Sequence, residues 1–208
     1  MADNDNAAEL VLAHTRLYTD HPVKGQLFLD IFPIWRNPSV SELIVSHLAK
    51  HIQEQHTNPA TNKLDIEAIV CLEARGFFFA PQIAGRLGLP CVPVRKSGKL
   101  PGECVSVTFQ KEYGPDSFQM KMDAFEGIGD FRTDDEGEKK EKHNKVILID
   151  DFLAFGGSAR AAKELVDKLG MVVAEAVFIF DVDSPFFQEK NKANLGDLKR
   201  FAMVHLKA

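Results

Sequence analysis

The stretch Val146 to Ser158 puts two carboxylates, Asp150 and Asp151, just ahead of a turn containing Gly156, Gly157 and Ser158. Those residue types at that spacing suit a phosphorylated sugar. Ionised aspartates only accept hydrogen bonds and repel phosphate, so they match sugar hydroxyls. The glycines let a phosphate approach the backbone without meeting a Cβ, and Ser158 adds a hydroxyl donor. A helix start behind the turn would aim free N–H groups and the positive end of its dipole at the same point. These groups need a strand before them and a helix after. Val146 to Ile149 is an unbroken branched-aliphatic run, which predicts a strand buried on both faces. Ser158 to Leu169 carries helix formers with Ala161, Ala162, Leu165, Val166 and Leu169 on one face, and Gly170 supplies the stop. The competing reading is an ordinary strand-to-helix turn with solvent-facing acids.

A second charged group follows a second apolar run. Ala68 to Leu72 predicts another buried strand, Phe77 to Leu87 a helix ended by Gly88, and Cys91 to Arg95 a return strand. Such a unit is parallel and right-handed. It sets Glu73, Arg75 and Gly76 at the edge that carries Asp150 and Asp151. Pro93 predicts that the return strand is short or lies at an edge. Arg95, Lys96 and Lys99 cluster around Gly98, Pro101 and Gly102. Val105 to Phe109 and then Phe118, Met120 and Met122 alternate apolar with polar, predicting an exposed two-stranded ribbon with Glu112 to Pro115 as its turn, placed to act as a lid. His47 and His51 stand four apart on a predicted helix, but no acidic partner follows at ligand spacing, so both read as solvated.

Composition bounds the function classes. The 208 residues are 45% hydrophobic and 26% charged, which predicts one domain with a sizeable core. A formal net charge of −5 argues against nucleic-acid binding. No apolar run reaches membrane-span length, and Met1 to Asn6 lacks the pattern of a secretory signal, so a cytoplasmic location is expected, with no membrane partner. Cys71, Cys91 and Cys104 are too scattered for a disulfide framework or zinc site and read as reduced thiols, the first two in strands.

The remaining chain supplies the frame. Ala7 to Tyr18 reads as a first helix, and Pro22 and Gly25 mark a loop before a short apolar stretch. Asn37 ahead of Pro38, or a capping box from Ser39 to Glu42, opens a helix with Val40, Leu43, Ile44, Leu48 and Ile52 along one stripe. Arg132 to His143 is nearly all charge and reads as a surface insertion within about 127–144. Ala174 to Phe180 is a further strand, followed by a turn at Pro185, and Phe201 to Leu206 is the last strand.

Taken together, Gly25 to Asp30, Glu73 to Phe77, Val94 to Gly102, Lys111 to Gly114 and Ile149 to Ser158 resemble the adenine phosphoribosyltransferases, members of the type I phosphoribosyltransferase family. The resemblance runs from about His21 to about Asp181. It implies an α/β fold: a central, mainly parallel sheet with helices on both faces, a small N-terminal hood at about 1–36, a core at about 37–181 and a β-ribbon lid, all in one domain. It implies an enzyme of purine salvage that moves the phosphoribosyl group of phosphoribosyl diphosphate (PRPP) to adenine, giving AMP and pyrophosphate. Mg²⁺ would be needed and bound through the substrate, without a protein cage, and a homodimer is implied. Carried onto this chain, Asp150 and Asp151 hold the ribose hydroxyls, and Ala154, Phe155, Gly156, Gly157 and Ser158 hold the 5′-phosphate. Glu73, Ala74, Arg75, Arg95, Lys96 and Lys99 serve the pyrophosphate. Glu112, with Arg75, is catalytic, moving a proton on the purine. Leu27, Leu29 and Tyr113 flank the base, with Phe28 packed beneath the two leucines.

The chain departs from the family pattern in places. Phe155 stands where the turn commonly has threonine, Leu29 where a basic residue is frequent, and Phe109 where tyrosine is frequent. Losing one hydrogen bond to a charged group weakens binding by roughly 1.5–3 kcal/mol. Two alternatives therefore accompany the leading reading: a transferase for xanthine, hypoxanthine or guanine, and a weakly active paralogue that binds PRPP or AMP as a regulator.

Overall fold

The computed structural model describes residues 2–21, 24, 27–111, 114–128 and 144–207. In chain order these form α1 (Ala2–Ala13), β1 (Arg16–Thr19), β2 (Leu27–Asp30), α2 (Phe32–Trp35), α3 (Pro38–His56), β3 (Thr57–Asn58), β4 (Lys63–Leu64) and β5 (Ala68–Leu72). There follow a 3₁₀ turn at Arg75–Phe78, α4 (Ala80–Leu87), β6 (Cys91–Lys96), β7 (Cys104–Lys111) and β8 (Gly114–Lys121). The chain closes with β9 (Lys145–Leu153), α5 (Gly157–Lys168), β10 (Val172–Asp183), α6 (Pro185–Leu195) and β11 (Arg200–Lys207).

Seven strands make one sheet in the order β11-β10-β9-β5-β6-β8-β7. The first five run parallel, and β8 and β7 are antiparallel additions. Strand alternation divides the core. Ile69 and Cys71 of β5 and Ile147 and Ile149 of β9 face α1 to α4, whereas Val70, Leu72, Val146 and Leu148 face α5 and α6. Both faces are covered, which is why these strands are written in continuous aliphatics. Asn37 caps α3 by accepting from the amides of Ser39 and Val40, so the structure selects it over the capping box.

Three expectations are corrected. The first helix ends at Ala13, and Arg16–Thr19 pairs instead in register with Leu27–Asp30. Its Leu17, 63% exposed, has no helical core face to fill, and the strand-favouring Tyr18 and Thr19 gain ladder bonds. Pro185 opens α6 rather than a turn, because proline fits the first helical position, where no N–H is required. Pro93 agrees with its expectation locally: β8 meets β6 only at Arg95 and Lys96, so Pro93 sits at an edge-like position where β6 has β5 alone as partner. The ribbon is not free-standing: Val107, Phe109, Phe118 and Met120 are buried among residues of α5, and only its turn, Glu112 and Tyr113, lies outside the described residues. Most of the charged insertion, 129–143, also lies outside them.

His51 is not solvated. Its Nε2 lies 3.1 Å from Oε1 of the fully buried Glu175, His56 Nε2 lies 2.8 Å from Oε2, and Lys199 Nζ is 3.7 Å away. The His51 ring also stacks on Phe201 with centroids 3.6 Å apart, and His47 stacks on the same ring at 6.0 Å. Burial raises the Glu175 carboxyl, but the hydrogen bonds from both histidines and the Lys199 charge outweigh it and bring the pKa down to about 2. A depressed acid stabilises the fold above its ordinary value of 4.5, and that contribution is lost as pH falls toward about 2. Glu175→Gln is expected to lower stability at pH 7 by roughly 3 kcal/mol. In urea unfolding, the gap from the parent should shrink between pH 4.5 and pH 3; a constant gap would mean that the charge contributes nothing.

Candidate active site

From β5 the chain passes to β6 on one side and later to β9 on the other, so the strand order reverses between β5 and β9. At such a switch point a crevice opens outside the carboxyl ends of the strands. Arg75, in the turn after β5, and Asp151, in β9, meet across it with Nε 3.0 Å from Oδ2. Asp151 is 2% exposed, and a carboxylate that deep needs a cationic partner. Gly76 permits the approach: a Cβ there would lie 3.3 Å from the Ile149 carbonyl oxygen.

Asp150 is half-buried and its Oδ1 accepts from the Asp151 amide at 2.9 Å. Burial, reinforced by the neighbouring Asp151 charge, pushes the Asp150 carboxyl well above the usual carboxylate range. Burial also raises Asp151, with the Arg75 guanidinium opposing it.

Glu73 points elsewhere. Its Oε2 accepts from Arg95 Nε at 3.0 Å and from the Lys96 amide at 2.9 Å, and the Arg95 hydrogen bond is the first cause of its lowered pKa. This ties the loop after β5 to the end of β6, so Glu73 orients cations rather than facing an anion. Lys96 Nζ lies 3.4 Å from Asp116 Oδ2 of β8. Lys99 and Ala74 are exposed beside them, and the Glu73–Ala74 peptide is cis. Arg75, Arg95 and Lys96 thus gather at one edge, each fixed by a carboxylate.

In the turn after β9, Gly156 adopts φ +78° and α5 begins behind it. The bond from the Arg160 amide to the Gly156 carbonyl, 2.8 Å, opens the helix, so the amides of Gly157, Ser158 and Ala159 belong to its first turn, the kind of place that can cradle an anion. Ala154 and Ser158 flank this cradle, both half-buried. The Phe155 ring stacks on Phe187 of α6, centroids 4.9 Å apart and planes 2° from parallel.

The hood strand is turned over relative to expectation. Leu29 packs into the core beside α1 to α4, while Phe28 lies with the Arg75 guanidinium 5.7 Å from its ring centre. Successive strand residues point to opposite faces, so seating Leu29 in the core sends Phe28 to the site. Leu27 stands in β2, but its side chain, like Glu112 and Tyr113, lies outside the described residues. Phe28 and the α6 residues are what sequence reasoning missed. Period-two alternation around Leu29 could have found the first, and Ser184 ahead of Pro185 the second.

The family model described as "Phosphoribosyl transferase domain" matches residues 38–199. The adenine phosphoribosyltransferase 1 of Saccharomyces cerevisiae is 39% identical over 188 residues, 90% of this chain and 88% of the relative. That of Cricetulus griseus is 33% identical over 200 residues, 96% of this chain and 97% of the relative. A crystal structure of the S. cerevisiae enzyme complexed with an imino-altritol bisphosphate and adenine superposes with a TM-score of 0.76 at 35% identity, covering 96% of this chain and 99% of that one. The adenine phosphoribosyltransferase of Thermoanaerobacter pseudethanolicus gives 0.77 at 30% identity, covering 96% and 99%.

The pairing at the switch point can be tested directly. Arg75→Ala removes a cation that draws Asp151 down, so the Asp151 titration should move upward. Carboxyl ¹³C NMR of the variant against the parent checks this, and coincident titrations would remove Arg75 from the electrostatics of the pair.

Proposed function

The chain belongs to the adenine phosphoribosyltransferases of the type I phosphoribosyltransferase family, and from that premise we infer that its carboxyl-edge residues carry the transfer of the phosphoribosyl group from PRPP to adenine, giving AMP and pyrophosphate in purine salvage. The observation that carries the reading is the meeting of Arg75 and Asp151 at the switch point, beside the α5 cradle. The 5′-phosphate sits in the amides of Gly157 and Ser158, flanked by Ala154, Phe155 and Gly156. Asp150, the less buried of the two acids, takes the ribose hydroxyls, with Asp151 behind it. Departure of pyrophosphate leaves a ribosyl centre with oxocarbenium character, and Arg75, Arg95, Lys96 and Lys99 offset the charge that leaves. Glu73 and Ala74 shape that loop. Glu112 takes the proton that adenine N9 loses as the new bond forms, with Tyr113 and Leu27 near the base. Phe28, from the face opposite Leu29, supplies an aromatic wall.

Mg²⁺ fits these residues as an ion delivered with the diphosphate. Such an ion keeps substrate oxygens and water as its ligands and needs no protein cage, while Asp150 and Asp151 would hold the ribose beside it. Bound there, it would neutralise part of the diphosphate charge.

The test offers adenine, hypoxanthine, guanine and xanthine in parallel with PRPP and Mg²⁺ and follows products by chromatography. AMP from adenine alone is expected; turnover of an oxopurine would overturn the base assignment, and binding without turnover would favour the regulatory paralogue. In the same assay Glu112→Gln should lower kcat by about 100-fold or more while leaving the KM for PRPP near the parent value. Equal turnover would take Glu112 out of the mechanism.

The active form we propose is a homodimer in the cytosol, whose reducing conditions suit three free cysteines. Phe32 and Phe78, each 46% exposed, meet edge to face at 5.5 Å, and Trp35 stacks on Phe78. Phe78 shares its 3₁₀ turn with Arg75, so a second copy seated on this patch would stand beside the site. Sedimentation should give about twice the 23.2 kDa chain mass, falling to one chain mass in Phe78→Glu. A parent that sediments as a single chain would remove the dimer.

A further inference from the structure

α6 grips the turn that cradles the phosphate from outside. Phe187 stacks flat on the Phe155 ring and Phe186 meets it edge-on at 5.9 Å. Asn194 Nδ2 donates to the Phe155 carbonyl at 2.6 Å. Beneath the next residue, a Cβ on Gly156 would lie 3.1 Å from both Asn191 Oδ1 and Leu195 Cδ1, so the helix packs directly against the turn. Asn191 is 5% exposed, and its Oδ1 has no hydrogen-bond partner among the described residues.

A phenylalanine next to a phosphate cradle needs somewhere to put its ring. Its staggered χ1 positions include directions toward the neighbouring amides, where an aromatic ring would exclude an anion. We propose that Phe187 is a positioning residue for the phosphate turn: by stacking on Phe155 it holds that ring against α6 and keeps the cradle open. Phe187 touches no substrate; it acts through Phe155. The inference rests on the assignment of the cradle to the 5′-phosphate.

An aromatic pair contributes about 0.5–1.5 kcal/mol, so releasing Phe155 should weaken phosphate-dependent binding about two- to ten-fold. The experiment is a double-mutant cycle on the purified enzyme, reading the KM for PRPP and for adenine, kcat, and the Kd of AMP by calorimetry. Phe187→Ala is expected to raise the PRPP KM and the AMP Kd by that factor, with kcat and the adenine KM unchanged. Phe187→Tyr, which keeps the ring, should match the parent. In the Phe155→Thr background, Phe187→Ala should shift neither constant, because no ring is left to restrain. An equal rise in both backgrounds would show a merely structural role and overturn the inference, as would no rise in either. If Phe187→Ala loses its folded circular dichroism, Phe187→Leu, which fills space without a flat face, takes its place in the cycle. A parent that binds neither PRPP nor AMP would overturn the functional reading and this inference together, whereas normal binding with an additive cycle overturns the inference alone.

Discussion

A guanidinium 3.0 Å from a carboxylate that is 2% exposed joins the ends of two neighbouring strands, and the site depends on that contact. Leaving Asp151 buried and unpaired would cost about 3–5 kcal/mol, so the turn after β5 is drawn to β9, and Gly76 avoids a tight contact where the backbones close. The same logic repeats one strand over, where Glu73 fixes Arg95 and the start of the Lys96 turn. Cations gathered at one edge repel one another; the interleaved carboxylates of Asp151, Glu73 and Asp116 offset that repulsion. Preorganised charge of this kind needs little rearrangement during the reaction.

The opposite edge of the sheet carries a different arrangement. Glu175 lies near the start of β10, held by two histidines of α3 and by Lys199. Both edges solve the same physical problem, a carboxylate without water. At Glu175 hydrogen-bond donors surround the acid and depress its pKa, so it contributes stability. At Asp150 and Asp151 burial dominates and raises both.

Phe155 illustrates how a fold absorbs a departure from a family pattern. The side chain is large and apolar where a hydroxyl is common, yet its ring has a flat partner in Phe187, and its carbonyl is anchored by Asn194. The amides of the cradle belong to the backbone and do not depend on which side chain precedes them. The helix that receives the ring begins at a proline, which in a linear reading looks like a break.

What the sequence by itself determined was everything carried by local pattern. The aliphatic runs at Ala68 and Val146 specified strands buried on both faces, the order of strand, turn and helix placed Asp150, Asp151 and Arg75 at one edge, and the motifs named the family. Each of these follows from backbone periodicity and the chirality of parallel connections, which neighbouring residues set. What only the tertiary structure decided were partnerships between distant residues: Glu175 with His51 and His56, Phe155 with Phe187, Glu73 with Arg95, and Phe28 rather than Leu29 beside Arg75. Such contacts join segments from 22 to 124 residues apart. They arise because a buried polar group or an apolar ring must find a partner wherever packing brings one, a condition that no single segment of the chain can encode.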